Sequence, residues 1–234
     1  MAAPSLHPAL RHVEAWVFDL DNSLYPASTD LFALVDARMG EYISRLVGCE
    51  AQEARRIQKS FFRDHGTTLS GLMREHHIDP HDFLAFVHDI DLARLTADPD
   101  LIAALDRLPG RKFVFTNGDE TYARRVLDRL GLANAFDGMH DIHAMAYLPK
   151  PHPDAYAQLC AVHDIDPARA MFADDMARNL APAKALGMVT VWVDNGSDQA
   201  SHAPDHERAV PNYVDFRTDD IGRWLHGILG EDFT

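Results

Sequence analysis

At 234 residues with 47% hydrophobic content, the chain is long enough for one large domain or for a core carrying an inserted module. Its 22 Lys and Arg stand against 36 Asp and Glu, and the resulting formal charge of -14 works against any broad, sequence-independent grip on nucleic acid or anionic lipid. Only Cys49 and Cys160 are present, far apart and without paired Cys or His spacing, so neither a disulfide framework nor a zinc knuckle is indicated. The opening Met-Ala-Ala-Pro-Ser-Leu-His-Pro has no basic region followed by an apolar one, and no window reaches the roughly 18 apolar residues a membrane helix requires. A soluble cytoplasmic protein is expected.

In chain order, the first element is a short apolar run, Ala15 to Phe18, with the character of a buried parallel strand. It stops abruptly at two carboxylates, Asp19 and Asp21. A buried strand ending in acids places charge at the edge of the apolar interior, which is costly unless a cation or hydrogen bonds compensate. A divalent metal is the economical explanation. From about residue 25 to 95 the pattern is helical throughout. Leu31 to Val47 has apolar residues at helical spacing, and Glu50 to Asp64, Leu69 to His76 and Asp82 to His88 continue it with no strand between. Asp98-Pro99 then starts the helix that returns the chain to the sheet.

Lys112 to Phe115 is a second strand, followed by a helix from Asp119 to Leu130 with Tyr122, Val126, Leu127 and Leu130 on one face and Gly131 at its end. Pro153 to His163 is a further helix, Ala170 to Ala173 and Val189 to Val193 are further strands, and Tyr213 to Phe216 with Ile221 to Leu229 adds an edge strand and a closing helix. Ala200 to Pro211, rich in His, Pro and acid, is read as a surface loop, and the glycosylation sequon Asn195-Gly196-Ser197 as chance. Strand and helix in alternation define an α/β fold with a doubly wound parallel sheet and an all-helical insertion after the first strand.

In such sheets ligands sit beyond the carboxyl ends of the strands. Three strands end in unusual polar residues: Asp19 and Asp21 after the first, Phe115-Thr116-Asn117-Gly118-Asp119 after the second, and Phe172-Ala173-Asp174-Asp175 after the third. Lys150, just before another core helix, can reach the same crevice. These residues, taken in order, resemble the four motifs of the haloacid dehalogenase superfamily in its phosphatase branch: Asp19-Leu20-Asp21-Asn22-Ser23, Thr116, Lys150, and Asp174-Asp175 with Asn179 beyond. Ser23 stands where Thr is commoner, and Asn179 where a second Asp is often found. The resemblance implies a core of residues 1–24 and 96–234, with 25–95 as a helical cap.

A phosphate monoester repels nucleophiles, so a site for its hydrolysis must neutralise charge and hold attacker and leaving group in line. Asp19 is suited to attack phosphorus, giving an aspartyl-phosphate, if a cation shields it. Magnesium is the expected cation, held by Asp19, the backbone carbonyl of Asp21 and Asp175, with Asp174 either a further ligand or an outer partner. The resemblance implies that Asp21 is the general acid and base. Thr116, the amides near Asn117 and the Lys150 ammonium are expected to bind phosphoryl oxygens.

The stretches Asp19 to Pro26, His65 to Leu72 and Val87 to Ile90 resemble the pyrimidine 5'-nucleotidase group, which implies a nucleoside monophosphate as substrate, with Tyr25, Thr67, Thr68 and His88 as candidate base or sugar contacts. Gly66-Thr67-Thr68 also reads as a loop with a helix cap. Rival expectations are a phosphatase for a sugar phosphate or phosphoglycolate, a metal-independent 2-haloacid dehalogenase in which Asp19 attacks carbon, and a fold retained without activity. The second acid at Asp21 argues against dehalogenation, because a departing halide needs no proton.

Overall fold

A computed structural model describes residues 6–197 and 210–230. The chain enters through β1 (Ala15–Phe18), all four residues of which are buried. It then runs through four helices, α1 (Leu31–Val47), α2 (Ala51–His65), α3 (Thr68–His76) and α4 (Pro80–Val87), before α5 (Pro99–Arg107) leads into β2 (Arg111–Phe115). The remainder alternates: α6 (Glu120–Arg129), β3 (Gly138–His140), α7 (Pro153–His163), β4 (Ala170–Asp174), α8 (Ala177–Leu186), β5 (Val189–Val193), β6 (Phe216–Thr218) and α9 (Ile221–Ile228).

All six strands pair in parallel, in the order β3-β2-β1-β4-β5-β6. Winding outward from β1 in both directions creates a topological switch point between β1 and β4, where crevices open at the strand ends. The ladder continues past β1, with the Asp19 amide donating to the Ala173 carbonyl at 2.9 Å. β1 and β4 are buried along their whole length, as central strands covered on both faces must be. Trp16, Phe18, Phe115, Tyr156 and Phe172 are among the large side chains filling the core.

The helices start where short polar side chains can satisfy the first free amides. Asp98 accepts from the amides of Asp100 and Leu101 ahead of α5, Asp119 accepts from Tyr122 ahead of α6, and Asp79 accepts from His81 ahead of α4. Within the helical insertion α1 packs on α2 and α4, and α2 on α3. Gln58 of α2 is buried, and its amide donates to the Asp36 carboxylate at 2.8 Å, pinning α2 to α1.

Two expectations need correction. β3 was not anticipated. Gly-Met-His holds no β-branched residue, and its three-residue length carries no alternation, so only pairing with Phe113–Phe115 makes it a strand. The edge strand expected at Tyr213 to Phe216 instead forms at Phe216–Thr218. The reason lies at Asp215, whose carboxylate accepts from the Thr190 amide at 3.0 Å and from Lys184 Nζ at 2.6 Å, while the Tyr213 carbonyl accepts from the Thr190 hydroxyl. Side-chain bonding there displaces the ladder downstream. Most of the loop expected at Ala200 to Pro211 lies outside the described residues.

Candidate active site

Each acid of the candidate site is placed by a strand end or by the turn beside it. Asp19 follows β1, Asp174 closes β4 and Asp175 follows it, and all three are buried. One carboxylate oxygen from each lies within 4.8 Å of the others. Among the described residues their partner of opposite charge is Lys150, whose Nζ donates to Asp19 Oδ1 at 2.7 Å, Asp174 Oδ2 at 2.7 Å and the Phe115 carbonyl at 2.8 Å. Burial alone would drive that ammonium towards neutrality, but Asp174 and Asp19 outweigh it and hold the proton more tightly than on a free lysine. One ammonium stands against three acids, too little positive charge for all of them. The strain falls on the acids: burial, then Asp19 and Asp174, push the Asp175 carboxyl well above the usual range. An all-oxygen donor set with uncompensated charge fits a hard divalent cation.

The supporting contacts divide the labour. Both Asp174 oxygens are engaged, Oδ1 by the Met176 amide at 2.8 Å and the Asn179 side chain at 2.9 Å, Oδ2 by Lys150 and again by Asn179 at 3.1 Å. Asn179 is steadied by Tyr156, whose hydroxyl donates to the Asn179 carbonyl at 2.6 Å. Ser23 donates to Asp19 Oδ2 at 2.8 Å and accepts the Asp175 amide at 3.0 Å, which ties the loop after β1 to the loop after β4. The small serine hydroxyl is sufficient for that bridge. Trp192 donates from β5 to the Asp175 carbonyl at 3.0 Å.

Asp21 sits apart from this cluster and is only partly buried. Its Oδ1 accepts two phenol hydroxyls, Tyr25 at 2.6 Å and Tyr122 at 2.8 Å. Burial and the nearby Asp19 raise its carboxyl above the ordinary value, and the two phenols pull against that rise. Asn22 adopts φ 60°, a left-handed conformation that Asn tolerates, and its carbonyl accepts from Asn195 at 2.6 Å. Asn195, part of the disregarded sequon, thus holds the loop that carries Asp21.

The second motif divides in two. The buried Thr116 hydroxyl accepts the Gly118 amide at 3.0 Å. Asn117 turns away from that loop and clamps the Lys150 backbone, accepting its amide at 2.9 Å and donating to its carbonyl at 3.2 Å. Among the specificity candidates, Tyr25 is committed to Asp21, and the Thr67 hydroxyl caps α3 through the Ser70 amide at 3.1 Å. Thr68 is buried in the first turn of that helix. His88, just past α4, reaches into the core, where its Nδ1 pairs with Asp119 and its ring stacks on Tyr122 with centroids 4.1 Å apart.

Sequence reasoning read Tyr122 only as part of an apolar helix face and Asp119 only as the last polar residue after the second strand, and it missed Arg178. Arg178 of α8 crosses to the helical insertion, its guanidinium lying 4.5 Å over the Phe62 ring and donating to the Gly66 carbonyl at 3.3 Å. The signal for Tyr122 was a phenol in the first turn of the helix that follows the Thr116 loop.

A doubly wound sheet with a carboxylate cluster at its switch point, a lysine among the carboxylates and a helical insertion after the first strand defines a class of α/β hydrolases. A family model described as haloacid dehalogenase-like hydrolase matches residues 13–187, more than half of the chain, and the protein belongs to that family. The chain is 28% identical over 193 residues to Phosphate metabolism protein 8 of Saccharomyces cerevisiae, covering 75% of this chain and 60% of the yeast protein. It is 24% identical over 220 residues to a glyceraldehyde 3-phosphate phosphatase of Methanopyrus kandleri, covering 86% and 92%. Over a shorter stretch of 108 residues, 46% of this chain and 42% of the relative, it is 30% identical to an (S)-2-haloacid dehalogenase of Xanthobacter autotrophicus. Among solved structures, a HAD phosphatase from Thermococcus onnurineus superposes with a TM-score of 0.63 at 20% identity, covering 95% of this chain and all of the other. That likeness is one of fold.

Proposed function

We propose that this hydrolase is a magnesium-dependent phosphomonoesterase with an aspartate nucleophile, acting on a pyrimidine nucleoside 5'-monophosphate. The observation that carries the reading is the separation of two kinds of carboxyl group. Asp19, Asp174 and Asp175 share one buried centre short of positive charge, while Asp21 is held outside it by phenols. Asp19, Asp175 and the Asp21 carbonyl would hold the ion, and Asp174, with both oxygens engaged, would serve to fix Lys150. When bound, the ion supplies positive charge against the nucleophile and the phosphoryl oxygens.

Asp19 attacks phosphorus, the ester oxygen departs with a proton from Asp21, and an aspartyl-phosphate remains on Asp19. Asp21, now a carboxylate, takes a proton from the water that attacks the intermediate, and inorganic phosphate leaves with Asp19 restored. Lys150 steadies Asp19 as its charge changes, and Thr116, whose hydroxyl accepts the Gly118 amide, can donate its own proton to a phosphoryl oxygen. Asn117 acts by holding Lys150 in place. The unit from 25 to 95 acts as the cap over the leaving group, so selectivity rests on its inner face.

A second reading, a sugar phosphate or other small monoester as substrate, draws support from the likeness to an archaeal glyceraldehyde 3-phosphate phosphatase over almost its whole length. Phosphate release measured with magnesium across UMP, CMP, purine nucleotides, sugar phosphates and phosphoglycolate tests both. The nucleotide reading predicts that kcat/KM for UMP or CMP exceeds that for the sugar phosphates by at least about tenfold. The reverse order supports the second reading. Release of halide from a 2-haloacid without added metal, with no phosphate release from any ester, would overturn both.

A further inference from the structure

Tyr122 lies outside the residues discussed for the reaction, yet its surroundings are built with more fixation than a core tyrosine needs. Its hydroxyl meets the Asp21 carboxyl 101 positions back in the chain, on the same oxygen, Oδ1, that accepts Tyr25. Its ring lies flat against His88, with centroids 4.1 Å apart and planes 10° from parallel. Its amide donates to Asp119 Oδ1 at 2.9 Å, and the other oxygen of that same carboxylate holds His88 Nδ1. Asp119 therefore fixes the backbone of Tyr122 and the ring stacked upon it. His88 is itself secured, because Arg125 of α6 donates to the His88 carbonyl at 2.9 Å and to the Ile90 carbonyl at 3.0 Å. A ring braced on one face, anchored at its amide and hydrogen-bonded at its tip has little rotational freedom left.

We propose that Tyr122 is a positioning residue for Asp21: together with Tyr25 it locks the carboxyl group so that its proton is carried on Oδ2 and directed at the leaving oxygen, with His88 of the helical insertion bracing Tyr122 from behind. The assignment rests on Asp21 being the general acid proposed above. Two phenol donors saturate Oδ1 as an acceptor, and a carboxyl proton on that oxygen would meet two O–H hydrogens head on. The proton is left on Oδ2. Misorientation of the acid affects most those esters whose alcohol leaves least readily, because an activated leaving group departs without a proton. His88 thereby serves the acid from behind.

The test compares kcat/KM for p-nitrophenyl phosphate and phenyl phosphate with magnesium, since kcat/KM covers only steps up to leaving-group departure and the two rings are near in shape. Asp21→Asn is expected to widen the preference for the nitrophenyl ester at least about tenfold over wild type. Tyr122→Phe, which keeps the ring and its stack, should widen it in the same direction about three- to tenfold with KM for each ester within about twofold. Tyr25→Phe should act likewise, as a second probe should Tyr122→Phe fold poorly. Equal losses on both esters, or no change, in both tyrosine variants while Asp21→Asn widens the ratio would overturn the positioning role alone. No widening in Asp21→Asn would instead overturn the role of Asp21 as acid.

Discussion

At the level of single residues, the consequences follow from which oxygen holds which hydrogen. The Asp19 carboxylate accepts from Lys150 and Ser23, so Asp19→Asn removes the proposed nucleophile and one acid from a site crowded with them. Phosphate release is expected to fall to background while the thermal midpoint stays level or rises, measured by phosphate assay and circular dichroism melting. Asp21→Asn is expected to lower turnover by a factor of about 10²–10⁴, the usual scale for losing an acid-base group. Lys150→Ala should be far worse for folding, because it strands Asp19 and Asp174 without their shared cation; a loss of about 3–5 kcal/mol in urea unfolding is expected. Asp19 and Asp21 stood out in the sequence because they put charge at the end of an apolar run, whereas Lys150 did so only by its order among the motifs. Tyr122 was not, since a tyrosine in an amphipathic stripe satisfies the core equally well, and only the fold brings its hydroxyl to Asp21. Thr67 and Asn117 show the opposite limit: polar residues whose hydrogen bonds go to neighbouring backbone or, for Thr67, also to the Ser70 hydroxyl.

Among the elements, β3 and the α2–α3 pair carry the sharpest expectations. His140 on β3 is wholly buried, its ring edge-on to His163 with centroids 5.8 Å apart, and neither ring nitrogen has a partner among the described residues. Burial first, then His163, pull its pKa from 6.5 down to about 4, with Asp141 opposing. The unfolded chain takes up a proton near pH 6.5 that the folded one refuses until about pH 4, so stability is full above the upper value and declines as pH falls between them. The decline is on the order of 3 kcal/mol for that shift. His140→Phe should flatten the dependence of the unfolding midpoint on pH in this window. In the insertion, a methyl group added at Gly71 would overlap the Phe61 side chain, where α3 meets α2. Gly71→Ala should therefore cost about 1–3 kcal/mol. The long helices were readable from their periodicity, α1 and α7 to the residue. β3 was not, because three residues without β-branching hold no period to detect.

For the whole molecule, charge is the governing quantity. A formal charge of -14 is spread over the chain, but the local excess at the switch point is what ion binding would relieve. A ligand that binds only the folded state stabilises it by about 2.7 kcal/mol at a hundred times its dissociation constant. For a chain of this size that corresponds to a rise of roughly 5–10 °C in the midpoint. Magnesium should produce such a rise and chelation should reverse it, while Asp175→Asn should abolish it, all by melting without substrate. The described residues hold no helix long and apolar enough to cross a membrane. The order of the strands was legible only in part: alternation pointed to a doubly wound sheet, while the neighbour relation of β1 and β4 needed the ladder itself.

That neighbour relation has one more consequence. Asp19 and the Asp174-Asp175 pair leave adjacent strands joined by the bond from the Asp19 amide to the Ala173 carbonyl. The gap between Asp19 and those two acids is therefore ruled by the interstrand repeat of about 4.8 Å, a dimension common to every β-sheet. The spacing of these carboxylates is thus inherited from main-chain architecture and owes nothing to the helical insertion, so substitutions confined to α1–α4 should leave it in register.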